Sequence, residues 1–233
     1  MASDTATRAR PRSSLDILNV AGFLAPLLAG PALGLFAWQS DRAETTSTLN
    51  EVIRGLGNVP SPWLFLAFVT GALLVRPAWG AFGGATALTL AVATYYVAIR
   101  VSGDREGIPL QGAMTGWFAV ALIAGPIFGC AGAFWRSGPN VLKPLAVGLL
   151  SGMLVGEVAY FAGDALRHGY WQWGDTHVYL ALADLGVALA LPLLLLRSFE
   201  QRLPAYVTAA VVGVVALVVM LWLDQLMLDL FNA

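Results

Sequence analysis

An all-α bundle of membrane-spanning helices is the fold class this sequence predicts, and three observations predict it. Of 233 residues, 58% are hydrophobic and only 12% are charged, where soluble domains carry roughly 25% charged residues. Mean hydropathy is +0.72. The apolar residues also come in runs of about 20, the length a helix needs to cross the hydrocarbon core. A soluble core of this size has no use for so much apolar surface, whereas lipid can cover the outside of a bundle.

The elements follow in chain order. Residues 1–14 are polar and carry Arg8, Arg10 and Arg12, which reads as a flexible cytoplasmic tail; residues 15–233 form one transmembrane domain. The window Leu15–Trp38 is too long for the apolar core of a secretory signal and reads as the first span. The second window, Pro62–Val75, is cut short by Arg76 and Pro77. It crosses if it starts near Val59, or it pairs with the third window as a tight hairpin. The expected count is therefore seven spans, or six if this window does not cross. The remaining windows are Trp79–Ile99, Ala113–Trp135, Pro144–Gly163, Thr176–Leu196 and Pro204–Leu223. Arg76-Pro77-Ala78 and Arg136-Ser137-Gly138-Pro139-Asn140 are turn chemistry with a cation. The longest connection, Gln39 to Ser61, contains a stretch, Ser47–Leu56, with helical spacing of apolar residues, which predicts an interfacial helix covering helix ends.

Orientation follows from the distribution of cations. With the N-terminus inside, Arg8, Arg10, Arg12, Arg76, Arg136, Lys143, Arg197 and Arg202 are inner, against the acids Asp4, Asp16 and Glu200. The other acids fall in outer loops or outer halves of spans. The expectation is N-terminus inside, C-terminus outside, in the plasma membrane.

Several classes of function are disfavoured at once. A net charge of −1 offers no concentrated basic face for nucleic acid. Cys130 is the single cysteine, so no internal disulfide forms, and its place in an apolar segment predicts a buried, inert thiol. No His- or Cys-rich ligand set predicts a metal site, and no cofactor is expected. Ser137, Ser151 and His177 form no defensible triad, so an intramembrane enzyme ranks last.

Charged groups within a span cost about 2.5–3.5 kcal/mol even on the lenient insertion scale. Glu157 in the fifth span and Asp184 in the sixth are the clearest cases. Each sits roughly 10–14 Å below the outer boundary at 1.5 Å per residue, so two carboxyls at matched depth on consecutive helices can share a site. Tyr160 lies on the face of Glu157, and His177 two turns above Asp184 on its face. The hairpin between these spans carries Trp171 and Trp173, either an interfacial belt or an aromatic cap suited to an organic cation. Gly148, Gly152 and Gly156 form a separate stripe that lets another backbone approach closely. Gly30-Pro31 in the first span echoes Gly125-Pro126 in the fourth, a hint of inverted repetition with Pro31 and Pro126 as kinks.

Three stretches resemble a family of small bacterial multi-pass proteins of unknown function: Ser61-Pro62-Trp63-Leu64-Phe65-Leu66-Ala67-Phe68, the Gly-Pro-x-x-Gly turn ending at Phe134-Trp135-Arg136, and Gly156-Glu157-x-x-Tyr160. The likeness covers about residues 20–200 and implies a bacterial inner-membrane protein. Ala21, Ala25 and Ala29 also give the first span an Ala-x-x-x-Ala face similar to that of the substrate-binding membrane subunits of energy-coupling vitamin transporters. That likeness implies an outward-facing pocket and an energising partner module.

The function expected is a small-molecule binding or transport subunit, opening outward, with Glu157 and Asp184 lining the site and a small, cationic organic ligand. The rival is a non-catalytic subunit or scaffold that docks a partner helix on its glycine stripe.

Overall fold

The computed structural model describes residues 13–42, 47–103, 111–168 and 176–232. They form eight helices and, among the described residues, no strand. These are α1 (Ser13–Asp41), α2 (Thr48–Asn58), α3 (Pro60–Leu73), α4 (Pro77–Ser102), α5 (Gln111–Ser137), α6 (Leu142–His168), α7 (Thr176–Leu195) and α8 (Phe199–Asn232). Residues 1–12 of the expected tail lie outside the described residues.

Six of the helices are long and apolar enough to cross a membrane singly. The second window is α3, which starts next to Val59 as its crossing requires, and the helix expected over Ser47–Leu56 directly precedes it. The segment Ser47–Leu56 belongs to α2, which joins α3 at a break with a bend of 58°. Local chemistry explains the break. Val59 is extended, with φ −88° and ψ 149°, and Pro60 follows at the first helical position of α3. A proline ring clashes with the carbonyl four residues earlier and supplies no N–H to it, so neither Pro60 nor Pro62 can continue α2. Proline at a first helical position costs nothing, since that N–H has no intrahelical partner anyway.

Packing register decides that this broken pair carries the chain across the bundle. Gly30 and Gly34 of α1 lie against Ala87 and Ala91 of α4, so contacts advance in the same direction on both helices. Helices α1 and α4 are therefore parallel, which requires a crossing between them. Gly80 and Gly84 of α4 meet Gly129 and Gly125 of α5 in reverse order, an antiparallel pair. Gly148, Gly152 and Gly156 of α6 meet Ala205, Ala209 and Gly213 of α8 in the same order, which makes that pair parallel with α7 running between. Seven crossings result, with α1 beginning at one face and α8 ending at the other. Topology reporters fused at residue 1 and after residue 233 are expected on opposite sides of the membrane. Reporters on the same side would remove the crossing assigned to α2–α3.

In lipid, apolar side chains gain little by leaving their solvent, so close packing of small residues holds helices together. Two groups of helices emerge on that basis. In the first, α3, α4 and α5 converge where Gly71 and Gly80 both contact Gly129, and Gly132 lies under the Phe68 carbonyl. Helix α1 closes this group through Gly30 and Gly34, so both Gly-Pro-x-x-Gly segments grip α4. In the second group, α6 holds α8 along its glycine stripe and α7 on another side. The two groups meet where α5 and α3 touch α6, where α5 touches α8, and where α2 touches α7. Leu64, Phe68, Phe128, Leu150 and Leu154 contribute to the core. The outward faces stay apolar: Leu28, Leu194 and Val214 are each well over half exposed, as expected where lipid is the solvent.

The connections on the α1-entry side are tightly tied. Ser137 Oγ donates to the carbonyls of Ala133 and Val75, linking the α5–α6 turn to the α3–α4 turn. Arg202 donates to the carbonyls of Leu196 and Leu193 at 3.2 Å each, capping the end of α7. A cation at a helix C-terminus satisfies orphan carbonyls and complements the dipole.

Candidate functional site

The break between α2 and α3 is where the polar chemistry gathers. A helix start leaves four backbone N–H groups without intrahelical partners. At α3 these positions are Val59, Pro60, Ser61 and Pro62. The Val59 N–H donates to the Gly55 carbonyl at 3.1 Å, and the two prolines have no N–H. Only the Ser61 N–H remains, and it is directed at Glu157 of α6. On the other side of the break, Asn58 Nδ2 donates to the Arg54 carbonyl at 2.9 Å and the Trp63 indole N–H to the Gly57 carbonyl at 3.3 Å. Ser-Pro-Trp thus ends one helix, starts the next, and leaves one donor for a carboxylate.

Glu157 is only 1% exposed. Asp184 of α7 is half-buried and close enough to act on Glu157 electrostatically. The Ser61 hydroxyl interacts with both carboxylates. Glu157 Oε1 and Asp184 Oδ2 are nevertheless buried without a hydrogen-bond partner. Buried polar oxygens are nearly always satisfied, so each of these two calls for a donor. Ser151, a turn and a half back along α6, is also buried without a partner for its Oγ.

A cavity of about 250 Å³ lies on the opposite side of the same break. Gly57, Asn58, Val59 and Pro60 form one wall, Trp63 and Leu64 of α3 continue it, and α4 and α5 supply Tyr95, Tyr96 and Trp117. Among the described residues, no lining side chain carries a formal charge. Its polar edge is fixed by Asp41 at the end of α1, which accepts from Asn58 Nδ2 at 2.7 Å and from the Tyr95 hydroxyl. Tyr95 and Tyr96 meet edge to face with ring centroids 5.1 Å apart.

The residues singled out from sequence are thus distributed unevenly. Glu157 and Asp184 come together, with Ser61 between them. They do not line the cavity, which belongs to the α1, α3, α4 and α5 side of the break. Tyr160 is half-buried and stands edge-on to Phe161 at 5.9 Å. His177 lies in the first turn of α7, and its side chain, like Trp171 and Trp173, is outside the described residues. Pro31 and Pro126 lie inside α1 and α5. The glycine stripe faces α8 of the same chain: a Cβ on Gly152 would meet Val212 Cβ at 2.5 Å and the Ala209 carbonyl at 2.8 Å. A partner helix on that stripe would have to displace α8. Cys130 is a free, half-buried thiol. Among the described residues, no group of three His, Cys, Asp or Glu side chains could hold a metal ion.

Sequence reasoning missed Ser61 and the aromatic cavity. The available signal was the Pro-Ser-Pro-Trp run itself, which places a single amide donor between two prolines.

The fold and the polar break define a polytopic α-helical integral membrane protein. The chain belongs to a family of unknown function (DUF6518), whose model matches residues 19–226. No curated protein and no solved structure matches it.

Proposed function

We propose that the protein binds a small organic molecule within the membrane and carries it across, or presents it to a partner subunit. The ligand occupies the cavity bounded by Trp63, Tyr95, Tyr96 and Trp117. The observation that carries this reading is that cavity and buried acids share one structural element, the α2–α3 break. Half-helices broken inside a bundle are how secondary transporters place ligand and ion sites at one moving element. An aromatic wall without charged side chains suits an uncharged, ring-containing molecule, held by apolar contact and oriented by a few polar groups. This ligand class replaces the organic cation expected from sequence, because both carboxylates lie across the break.

The test is a panel of uncharged one- and two-ring aromatic compounds, read by tryptophan fluorescence and thermal shift on purified protein. Trp63→Ala and Ala121→Phe, one removing a wall and one filling the space, are each expected to weaken binding about tenfold or more, which is 1.4 kcal/mol. Trp222→Ala, on a side chain 62% exposed, should leave it unchanged. Binding that is indifferent to Ala121→Phe would place the ligand elsewhere. Glu157→Gln should leave affinity within about twofold and slow uptake into proteoliposomes, since it acts on the movement of the break rather than on ligand contact.

A further inference from the structure

We infer that Glu157, Asp184 and Ser61 form a proton-binding site in which the two carboxyl groups together hold one proton and one negative charge. The site does not depend on the ligand reading above: a protein that bound nothing in its aromatic cavity would still contain it.

Three observations lead there. First, two carboxylates lie close together on α6 and α7, one of them 1% exposed, and each keeps an oxygen with no hydrogen-bond partner. A single proton held by the pair gives one carboxyl a donor of its own and halves the buried charge. Like charges this close do not both ionise readily in a low-dielectric site. Second, among the described residues no basic side chain neutralises them; His177, two turns above Asp184 on α7, has its side chain outside the described residues. On α8, the residues against the neighbouring glycine stripe are Val212, Gly213, Ala216 and Leu217. On α3 the polar neighbour is Ser61. Helix α2, packed on α7, brings Glu51 and the exposed Arg54, and neither is among the groups acting on the pair. Asp164 lies two turns beyond Glu157 on α6. Third, the donor aimed at Glu157 is the amide at the start of α3. A helix N-terminus carries partial positive charge, so it stabilises the one negative charge that the pair retains. The same feature disfavours a metal cation, which broken helices usually hold at carbonyl-bearing ends.

The chemistry balances simply. The neutral carboxyl releases H⁺ to water and becomes a carboxylate, and the reverse step takes H⁺ back without redox change or co-reactant. Asp184, being half-buried, is the member through which the proton exchanges with solution. Glu157 is the deeper store, and Ser61 couples its state to the α2–α3 break.

The experiment is infrared difference spectroscopy on the full-length protein in nanodiscs, with hydrogen–deuterium exchange. The expected result is a protonated-carboxyl C=O band at neutral pH, shifted in D₂O and equivalent to one proton per chain. It should be absent from the E157Q/D184N double variant and identical in sodium and choline buffers. E157Q should melt close to wild type, because Gln keeps the shape and donor capacity of a protonated carboxyl and carries no charge to desolvate. Wild type without the band overturns the proposal even if a variant fails to fold. A band that survives in the double variant assigns the proton to another group and overturns the proposal, and a band displaced by sodium makes the site a metal-cation site instead.

Discussion

Gly129→Leu is expected to destroy the α3–α4–α5 junction and remove most folded protein from the membrane. A Cβ at this position would sit 2.9 Å from the Gly80 carbonyl carbon and 3.1 Å from Gly84 Cα, with the Gly80 carbonyl oxygen closer still. All of these are backbone atoms of a neighbouring helix and have no rotamer by which to yield. Overpacking a core costs about 1–3 kcal/mol where side chains can adjust, and here the helix itself must move, so about 3 kcal/mol or more is the expected loss. The measurement is the melting temperature and monodispersity of detergent-purified protein. Gly163→Ala and Gly186→Ala are the internal controls, because a Cβ at either meets nothing within 4 Å. Both should be neutral or gain about 0.5–1 kcal/mol from helix propensity. Equal damage at Gly129 and Gly163 would refute the packing account.

The second large effect is expected at the break. In the double variant Pro60→Ala, Pro62→Ala the barrier to a continuous helix from Thr48 to Leu73 disappears, since each interior proline disfavours a helix by about 3 kcal/mol. The amide gained at position 60 could then donate to the Leu56 carbonyl, and the amide gained at position 62 to the Asn58 carbonyl. Straightening a 58° bend would lift α2 from α7 and draw Ser61 away from Glu157 and Asp184. Spin labels at the exposed positions Arg54 and Leu166 should report a longer or bimodal distance in the double variant. Wild-type distances would show that α7 and Asp41, rather than the prolines, hold the bend. Asp41→Ala, which removes the acceptor of both Asn58 and Tyr95, separates these causes.

Much of this architecture was legible from the sequence because membrane helices announce themselves by length and composition. The apolar windows coincide with α1 and α4 to α8 to within several residues at most ends. The pairing of Glu157 with Asp184 was legible too, since equal distances from a shared hairpin place two residues at equal depth. That α2 and α3 form one bent pair was not legible, for a physical reason. Prolines are turn chemistry at a surface, and Pro60-Ser61-Pro62 looks like the end of a loop. Only the packing of α2 against α7 and α1 shows that this start is buried inside the bundle. The cavity was illegible for a related reason. Its walls come from positions 37, 57–64, 88–96 and 117–124, an assembly fixed by how α1, α4 and α5 register through their glycines, which no local pattern encodes. The glycine stripe of α6 was recognisable as a close-approach surface, but not that α8 of the same chain would fill it.

The length of α3 has an electrical consequence. Fourteen residues span about 21 Å, against a hydrocarbon core of about 30 Å. With the C-terminal end of α3 at the hydrocarbon boundary, the break lies roughly two-thirds of the way from the face where α1 begins. A full crossing of the membrane field is worth about 2.3 kcal/mol per charge per 100 mV. A proton reaching Asp184 from the face where α8 ends crosses only about a third of that drop, or roughly 0.8 kcal/mol per 100 mV. Onward passage along α3 would meet the rest. Occupancy of the carboxyl pair should accordingly respond weakly to membrane voltage, while any step that empties it toward the opposite face should respond about twice as steeply.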